Sequence, residues 1–444
     1  MSFPRYYEYK DSGVECLGLI PTPWEIVRVK RVGSLRYGIG EPPKYHEAGT
    51  PFIRATNVHA GSLYSDGLVY VDPAEIPTQR IVWLATGDII VVRSGAYTGD
   101  SAIIPPEFGP CIAGFDMVLR CQSARPEFVQ YALLSKYLKE GQIDVEKMRA
   151  AQPHLNAEEL GSCLLALPSM KEQDAIVSFL DRETAKIDEL VAEQQRLVGL
   201  LKEKREAVIS HAVTKGLNPD APMKPSGVEW LGEVPTYWEI KKLKHVSPEL
   251  TVGIVIEPSK LYVEEGVPAL RSLNIKAGKV SLDNMVFISQ AGHETHSKSK
   301  LRAGDIVAVR TGQPGASAVI PRELDGCNCI DLIVIRKPNI GSERFLYWYL
   351  GSDSALGQFE IGSGGAIQQH FNISTAAELI IPVPPSDDQF RIAAFLDAAT
   401  EQFDALTAEA QRAIELLQER RTALISAAVT GQIDVRAIAG RAAA

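Results

Sequence analysis

The sequence of 444 residues contains two copies of one unit, and this duplication limits the fold more than any other feature of the sequence. Residues 11–32 read DSGVECLGLIPTPWEIVRVKRV, and residues 225–246 read PSGVEWLGEVPTYWEIKKLKHV. The two segments share Ser, Gly, Val, Glu, Leu, Gly, Pro, Thr, Trp, Glu, Ile, Lys and Val in the same order without a gap. Further motifs recur in order, and the shift between Asp181 and Asp397 is 216 residues. Because this period is far longer than a solenoid repeat, the sequence predicts two copies of one set of domains.

The first part of each copy is predicted to be a sheet-rich globular domain. It is rich in glycine, proline and short runs of β-branched residues. The matching stretches IIVVR at 89–93 and IVAVR at 306–310 are short, apolar and bounded by Gly-Asp and by Ser-Gly or Thr-Gly, which is typical of buried strands. Tyr131 and Trp348 lie in stretches that favour short helices.

The second part of each copy is predicted to be a long helix. Apolar residues recur at a spacing near 3.5 across 187–212 and again across 403–428. Both stretches stop at a glycine, Gly216 and Gly431, a residue type that commonly ends helices. Since the two apolar stripes are copies of each other, we expect the helices to pair antiparallel, which relates the two copies by a pseudo-two-fold axis.

The predicted fold class is therefore α+β. It has two similar domains, mainly antiparallel sheet with short helices, joined by two long antiparallel coiled-coil helices with pseudo-two-fold symmetry. The predicted boundaries are an N-terminal segment at 1–20, a first domain at 21–167, a central helical spacer at 168–217, a linker at 218–234, a second domain at 235–383, a C-terminal helical spacer at 384–433 and a tail at 434–444.

Composition limits the kind of partner that the chain can hold. The net charge of −9 argues against binding to DNA through bulk positive charge, so any DNA binding must use local sites, helped by a more basic partner. The six cysteines form no CxxC pair, which favours reduced thiols in a reducing compartment. Since no apolar run reaches about 18 residues and the N-terminus has no signal-peptide core, we expect a cytoplasmic protein.

Four repeated motifs resemble those of one known family. They are SGVEWLGEVPTYWEI, the pattern L-x-x-GDI-x-x-x-R-[ST]-G, the run P-x-x-x-x-Q-x-x-I-x-x-FLD, and the ending ALISAAVTG. In this order they resemble the specificity (S) subunit of type I restriction–modification enzymes, and the resemblance covers nearly the whole chain, twice. Each motif alone is weak, and the strength of the resemblance lies in the order.

The resemblance implies a function for each part of the chain. The two globular domains would be target-recognition domains, each reading one half of a bipartite, asymmetric site in double-stranded DNA. The helices would set the gap between the halves and dock two methyltransferase (M) subunits, and restriction (R) subunits would join the complex. S-adenosylmethionine, ATP and Mg would be bound by the partner subunits, with no cofactor and no metal in this chain.

The residues themselves also favour a chain without catalytic chemistry. The sequence has no Asn-Pro-Pro-Tyr motif to hold a flipped adenine and no GxxxxGK[ST] loop for nucleotide phosphates. Asp88 and Asp305 recur, but each follows a glycine at the entry to an apolar strand, where a turn-forming role is the better interpretation. Two alternatives remain open at this point: an enzyme with a fused methyltransferase or nuclease domain, and a coiled-coil scaffold that reads no DNA sequence.

Candidate DNA-binding residues lie in loops that recur in both copies. Arg and Asn side chains suit guanine and adenine edges, and glycines let a loop approach a surface closely. For Arg54 and Arg271 a structural role, paired to a carboxylate, is equally compatible. His154 and His370, each close to an asparagine, favour a capping or core role over catalysis, and Lys44 and Lys260 favour phosphate contacts. The first copy supplies Lys44, Arg54, Asn57, His59, Arg93, Ser94, Tyr97, Thr98, Gln152 and His154, and the second supplies Lys260, Arg271, Asn274, Lys276, Arg310, Thr311, Gln313, Gln368, Gln369 and His370.

Overall fold

The computed structural model describes residues 3–147, 153–276, 278–310, 316–362 and 372–437. Their contacts divide the chain into two units. Unit 1 comprises Met1–Gln195 and Gln411–Ala444, and unit 2 comprises Arg196–Ala410. Each unit therefore contains one of the two predicted globular domains together with part of each long helix.

The elements of the first copy are mostly short. Its strands are β1 (Tyr9–Asp11), β2 (Leu19–Pro21), β3 (Glu25–Arg28), β4 (Gly33–Tyr37), β5 (Thr50–Ile53), β6 (Val58–His59), β7 (Ser62–Leu63), β8 (Val69–Val71), β9 (Trp83–Leu84), β10 (Ile89–Val91), β11 (Ser101–Ile103), β12 (Cys111–Ala113), β13 (Met117–Cys121) and β14 (Leu164–Leu167). Its α-helices are α1 (Val29–Val32), α2 (Pro126–Leu134), α3 (Lys136–Leu138), α4 (Asp144–Lys147), α5 (Ala157–Ser162) and the long α6 (Met170–Lys215).

The second copy repeats most of this order, but it has an additional strand at Tyr262–Val263 and a short helix at Gln290–Thr295 in the interval where the first copy has β9. Its strands are β15 (Met223–Pro225), β16 (Glu233–Pro235), β17 (Glu239–Lys242), β18 (Leu250–Val252), β19 (Tyr262–Val263), β20 (Val267–Leu270), β21 (Ile275–Lys276), β22 (Lys279–Val280), β23 (Val286–Ile288), β24 (Ile306–Val309), β25 (Ser317–Val319), β26 (Asn328–Cys329), β27 (Leu332–Ile335) and β28 (Ile380–Val383). Its α-helices are α7 (Leu243–Val246), α8 (Gln290–Thr295), α9 (Glu343–Leu350), α10 (Asp353–Gly362), α11 (Ile373–Glu378) and the long α12 (Ser386–Val429).

Each globular domain is built on two four-stranded sheets. In unit 1 the strand orders are β11-β10-β13-β4 and β8-β5-β12-β9, and in unit 2 they are β18-β27-β24-β25 and β19-β23-β20-β26. Pairing is antiparallel except between β5 and β12 and between β20 and β26. The α+β class with mainly antiparallel sheet is confirmed, and Tyr131 and Trp348 lie on α2 and α9 as predicted.

The central strands are buried on both faces, which explains their continuous apolar sequences. Ile89 and Val91 pack into one hydrophobic cluster, whereas Ile90 and Val92 pack into another on the opposite face of β10. A strand that is covered on both faces shows no alternation of polar and apolar residues, because neither face is exposed to water. The prediction that these runs are buried strands is therefore confirmed.

Asp88 and Asp305 close the turns that lead into these strands. Asp88 accepts a hydrogen bond from the Ala85 amide at 2.8 Å, and Asp305 accepts one from the Arg302 amide at 2.9 Å. The turn-forming role is confirmed. Each carboxylate also pairs with an arginine of the neighbouring strand or its end, Arg120 at 2.5 Å and Arg336 at 2.6 Å.

The two long helices pair antiparallel within each unit. In unit 1 Arg421 of α12 contacts Asp188 of α6 at 2.8 Å, and in unit 2 Arg205 of α6 contacts Asp404 of α12 at 3.5 Å. Asp188 and Arg205 are 17 residues apart on α6. Their partners, Arg421 and Asp404, are also 17 residues apart on α12, and they run in the opposite direction. The two contacts thus share one register, and the expected antiparallel pairing is confirmed.

The stretches predicted as an N-terminal segment and a linker contain small hairpins. Strand β1 pairs with β2, and β15 pairs with β16. Both hairpins enclose the repeated SGVE motif. The interdomain linker is therefore a structured part of the repeat.

Candidate nucleic-acid interface

Asn57 and Asn274 each hold one turn of backbone together. Both are fully buried. The Asn57 side chain accepts from the Arg54 amide at 3.2 Å and donates to the carbonyls of Tyr64 at 3.1 Å and Asp66 at 3.2 Å. Asn274 makes the same three bonds in unit 2, at 2.9–3.1 Å. A buried amide with these partners has no atom left for a base edge, so the base-reading role suggested by the sequence is corrected to a structural one.

Arg54 and Arg271 are both structural anchors and surface cations. Arg54 donates to the Gly67 carbonyl at 2.7 Å, and Arg271 donates to the Asn284 carbonyl at 2.7 Å. The structural role predicted for these arginines has a carboxylate as the partner, but in the structure a backbone carbonyl accepts the hydrogen bond from each guanidinium. The Arg54 guanidinium also lies 5.5 Å from the centre of the Tyr45 ring. One side of each guanidinium is thus held by the protein.

Arg93 packs against two aromatic rings just after the end of β10. Its guanidinium carbon is 4.6 Å from the centre of the Tyr37 ring and 4.2 Å from that of Phe115. Nη2 lies 3.4 Å from Nε2 of His154. Both rings remain 43% exposed, so this cluster lies at the surface. We call Tyr37, Arg93 and Phe115 the arginine clamp.

The glycine-framed loop after Arg93 is held by Thr98. Thr98 is only 2% exposed, and its hydroxyl donates to the carbonyls of Gly95 at 2.7 Å and Pro153 at 3.3 Å. A base-reading role for Thr98 is therefore corrected to that of a loop anchor, because the hydroxyl is buried. Ser94 bridges His154 through the backbone, and Tyr97 projects from the loop tip, 43% exposed.

His59 is oriented by a carboxylate on the same surface. Its Nδ1 lies 2.8 Å from Asp100, which also pairs with Lys139 at 2.5 Å. Burial alone would raise the pKa of Asp100, but the hydrogen bonds from Lys139 and His59 outweigh it and the pKa lies below its ordinary value. The His59 ring packs against Tyr97 with 5.1 Å between the ring centres. The ring edge opposite Asp100 is free to meet a ligand, since the side chain is 56% exposed.

Two cavities that share Ser94 lie among some of these groups. One, of about 520 Å³, is lined by residues that include Ser94, Thr98 and His154. The other, of about 290 Å³, is lined by residues that include Arg54, Ser94 and Phe115. We use the name unit 1 face for residues that line these cavities and for the side chains whose contacts are described above. They are Tyr37, Tyr45, Arg54, His59, Arg93, Ser94, Tyr97, Phe115, Lys139 and His154.

Asp116 lies buried beneath this face. Burial raises its pKa to about 6, although the Arg93 amide, 3.1 Å from the carboxylate, and the Arg93 charge both act to lower it. Asp116 lines the smaller cavity beside Phe115. The charge of this cavity-lining carboxyl therefore changes near pH 6.

Unit 2 presents different groups at the matching positions. Arg310, the counterpart of Arg93, pairs with Asp331 at 3.0 Å. Lys276 is exposed where unit 1 has His59, and the exposed Lys260 pairs with Glu257 at 2.7 Å. The predicted residues Gln152, Thr311, Gln313, Gln368, Gln369 and His370 lie outside the described residues.

Sequence reasoning identified Tyr97 but missed Tyr37, Tyr45, Phe115 and Lys139 of the unit 1 face. Tyr37, Tyr45 and Phe115 come from three separate segments, and no motif links them to Arg93. The available signal was weak: Tyr37 and Phe115 each lie beside a glycine at the end of an apolar stretch. Lys44 is exposed next to Tyr45, at the edge of this face.

The described residues contain no group of three or more His, Cys, Asp or Glu side chains that would hold a metal ion. All six cysteines are free thiols. Among the helices described, none combines the length and the hydropathy needed to cross a bilayer.

Comparison with known proteins gives one consistent result. The family model described as the type I restriction modification DNA specificity domain matches residues 21–197 and again 235–416. The MjaVIII specificity subunit of Methanocaldococcus jannaschii is 22% identical over 96% of this chain and 97% of its own length. The EcoKI specificity subunit of Escherichia coli K12 is 24% identical over 66% of this chain and 62% of its own length.

Solved structures show the same fold. A chain from a study of complex assembly and conformational transition in the type I R-M system superimposes with a TM-score of 0.72 at 19% identity, covering 93% of this chain and 99% of that one. The HsdS subunit of Thermoanaerobacter tengcongensis superimposes with a TM-score of 0.52 at 19% identity, covering 93% and 98%.

Proposed function

The chain belongs to the family of type I restriction–modification specificity subunits, and from this premise we propose that each of its two units reads one half of a bipartite, asymmetric DNA site. The observation that carries the proposal is a shared scaffold with unlike exposed groups. Both units use the same buried asparagine and the same aspartate turn. The clamp at Arg93 is replaced in unit 2 by the ion pair of Arg310 with Asp331. Two readers of different DNA words require this combination.

The proposal includes partners that supply the chemistry. Two methyltransferase subunits would bind S-adenosylmethionine, restriction subunits would bind ATP and Mg, and this chain would contribute recognition without catalysis. The net charge of −9 is consistent with partners that carry much of the phosphate contact. A coiled-coil scaffold that reads no sequence is the second candidate, but it gives no reason for the unlike polar groups on the two domains.

The proposal also assigns the paired helices the role of a spacer between the two half-sites. The common register of Asp188 with Arg421 and of Arg205 with Asp404 supports it, because a spacer must not slip. Part of each apolar stripe is buried, at Ile187 and Leu201 on α6 and at Ala410 and Ile414 on α12. Other stripe residues, Leu190, Leu197 and Leu406, remain 41–49% exposed, so both these and the charged flanks are available to partner subunits.

The test of sequence reading uses the full chain in complex with its methyltransferase subunits. The complex is incubated with S-adenosylmethionine and a library of random DNA, and methylated sites are sequenced. We expect two short words separated by a constant number of unread base pairs. A library methylated or bound without sequence preference would favour the scaffold.

The test of the spacer is a paired insertion. Adding four residues to α6 after Glu203 and four to α12 between residues 405 and 406 preserves the register, because these points face each other. About one helical turn lengthens the pair by ~6 Å, and one base pair rises ~3.4 Å. The unread gap should therefore grow by roughly one or two base pairs while both words stay the same. An insertion in α6 alone is the control, and we expect it to disrupt the pairing of Arg205 with Asp404.

A further inference from the structure

We propose that Arg93 reads a guanine within the half-site of unit 1, and that the arginine clamp sets the plane of its guanidinium for this contact. The inference rests on the proposed function and adds a base identity to it. It concerns one residue of one unit, and it separates Arg93 from the other cations of the unit 1 face.

The clamp fixes the orientation of the guanidinium. The Arg93 Cζ lies 4.6 Å from the centre of the Tyr37 ring and 4.2 Å from that of Phe115. Its Nε is buried without a hydrogen-bond partner among the described residues, so the two terminal nitrogens are the ones that can meet a ligand. The Tyr37 ring is itself held, because its hydroxyl accepts a hydrogen bond from the Ala157 amide at 2.8 Å. Among the residues that the structure describes, only Nη2 of the guanidinium has a hydrogen-bonding neighbour, His154 at 3.4 Å.

The chemistry of the exposed edge matches guanine. Guanine presents two acceptors, O6 and N7, side by side in the major groove, and the fork of an arginine meets them with two hydrogen bonds. A rigidly oriented guanidinium plane serves such a bidentate contact, because less freedom is lost when both hydrogen bonds form. Adenine and thymine offer one of these acceptors next to a donor or a methyl group, so the same edge discriminates against them.

The surroundings of Arg93 also favour a base over a phosphate. The Asp116 carboxylate lies beneath this face, where it lines the smaller cavity and disfavours a second negative charge. The adjoining cavity of about 290 Å³ has the aromatic wall of Phe115 and the polar group of Arg54. An aromatic and polar surface of this kind suits a base edge.

The experiment compares Arg93→Lys and Phe115→Leu with the unchanged full chain, each in complex with the methyltransferase subunits, on the random DNA library. Arg93→Lys keeps the charge and removes the planar fork. We expect it to lower discrimination for guanine at one position of one half-site by about 5- to 150-fold. Phe115→Leu loosens the clamp and should give a smaller loss at the same position. Arg310→Lys is the matched control and should leave that half-site unchanged.

The outcomes separate this inference from the proposed function. If the unchanged complex shows no sequence preference, the proposed function itself fails. If the unchanged complex reads two words and Arg93→Lys leaves both intact, or weakens every position equally, Arg93 reads no base and the inference is overturned while the function stands. The word read by unit 2 serves as the folding check for Arg93→Lys and Phe115→Leu, and the word read by unit 1 serves as the check for Arg310→Lys. Phe115→Leu tests the same base position if Arg93→Lys lowers the yield of folded protein.

Discussion

Gly431, which ends α12, packs against the indole of Trp24 near the opposite end of the sequence. A Cβ built at Gly431 would lie 3.2 Å from Cη2 of Trp24, and a Cβ at Gly216 would lie 3.2 Å from Cζ2 of Trp238. Each long helix therefore ends against a buried tryptophan that lies near the start of one copy of the repeat. Helix α6 ends against Trp238 of the second copy, and α12 ends against Trp24 of the first copy. In unit 1 the chain ends also meet directly, since the Asp434 amide donates to the Pro4 carbonyl at 2.8 Å.

Gly431→Ala should destabilise the protein more than Gly216→Ala. Both glycines have positive φ, +71° and +78°, which costs an alanine roughly 1–2 kcal/mol. At Gly431 the new methyl would also overlap Pro21, so we expect a total loss above about 2 kcal/mol. The measurement is urea unfolding followed by tryptophan fluorescence. Gly199→Ala, inside α6 with open space around it, is the control and should be stabilising by up to about 1 kcal/mol; equal losses at all three sites would contradict the prediction.

The ion pair of Asp305 with Arg336 should contribute more to folding than its counterpart in unit 1. The Asp305 and Arg336 side chains are 2% and 6% exposed, whereas Arg120 is 48% exposed. Arg336→Met leaves a buried carboxylate without its partner and should cost about 3–5 kcal/mol. Arg120→Met should cost on the order of 1–2 kcal/mol, because water can reach Asp88 from the vacated side.

The measurement for these variants is again the free energy of unfolding in urea. The double variant Asp305→Asn with Arg336→Met removes both charges and should recover part of the loss. A double variant less stable than Arg336→Met would show that the pair's charges do not account for the effect.

The stability of the protein should carry a pH-dependent contribution from Asp116. Burial raises the folded-state pKa to about 6, above the unfolded value of about 4, so between these pH values the folded form holds a proton that the unfolded form has lost. The contribution of Asp116 to the free energy of unfolding therefore falls as the pH rises from about 4 to about 6, and it stays constant above about pH 6. The change is on the order of 2 kcal/mol.

Asp116→Asn isolates this contribution. As the pH rises from 4 to 7, the unchanged protein should lose stability relative to the variant. The contributions of the other carboxyl groups are the same in both proteins and cancel in the difference between their unfolding free energies. A difference that does not change with pH would mean that Asp116 has the same pKa in both states.

The isolated chain should transfer no methyl group, hydrolyse no ATP and cleave no DNA. The reason is the absence from the sequence of an adenine-clamping motif and a nucleotide phosphate loop. The measurement is the transfer of labelled methyl groups from S-adenosylmethionine to DNA, with and without methyltransferase subunits. Methylation by the chain alone would contradict a recognition-only role.

Much of the fold follows from patterns that lie along the sequence. The repeat shows that there are two copies, the apolar runs at 89–93 and 306–310 indicate strands buried on both faces, and Gly216 and Gly431 mark where the long helices end. The candidate site is harder to predict, because polar residues in repeated loops have the same appearance whether they face solvent or hold the loop. Thr98 and Asn57 illustrate this: both suit a reading loop in sequence, yet both are buried.

The sequence by itself determined the duplication, the two buried strands at 89–93 and 306–310, the ends of the long helices and the family, since each depends on residue order and local periodicity. Only the tertiary structure decided that Tyr37, Arg93 and Phe115 meet, and that Arg336 is buried with its aspartate whereas Arg120 is half exposed. The physical reason is that strand register brings distant residues onto one face. The pairing of β13 with β10 and with β4 places the ends of three strands together, and no local pattern encodes that pairing.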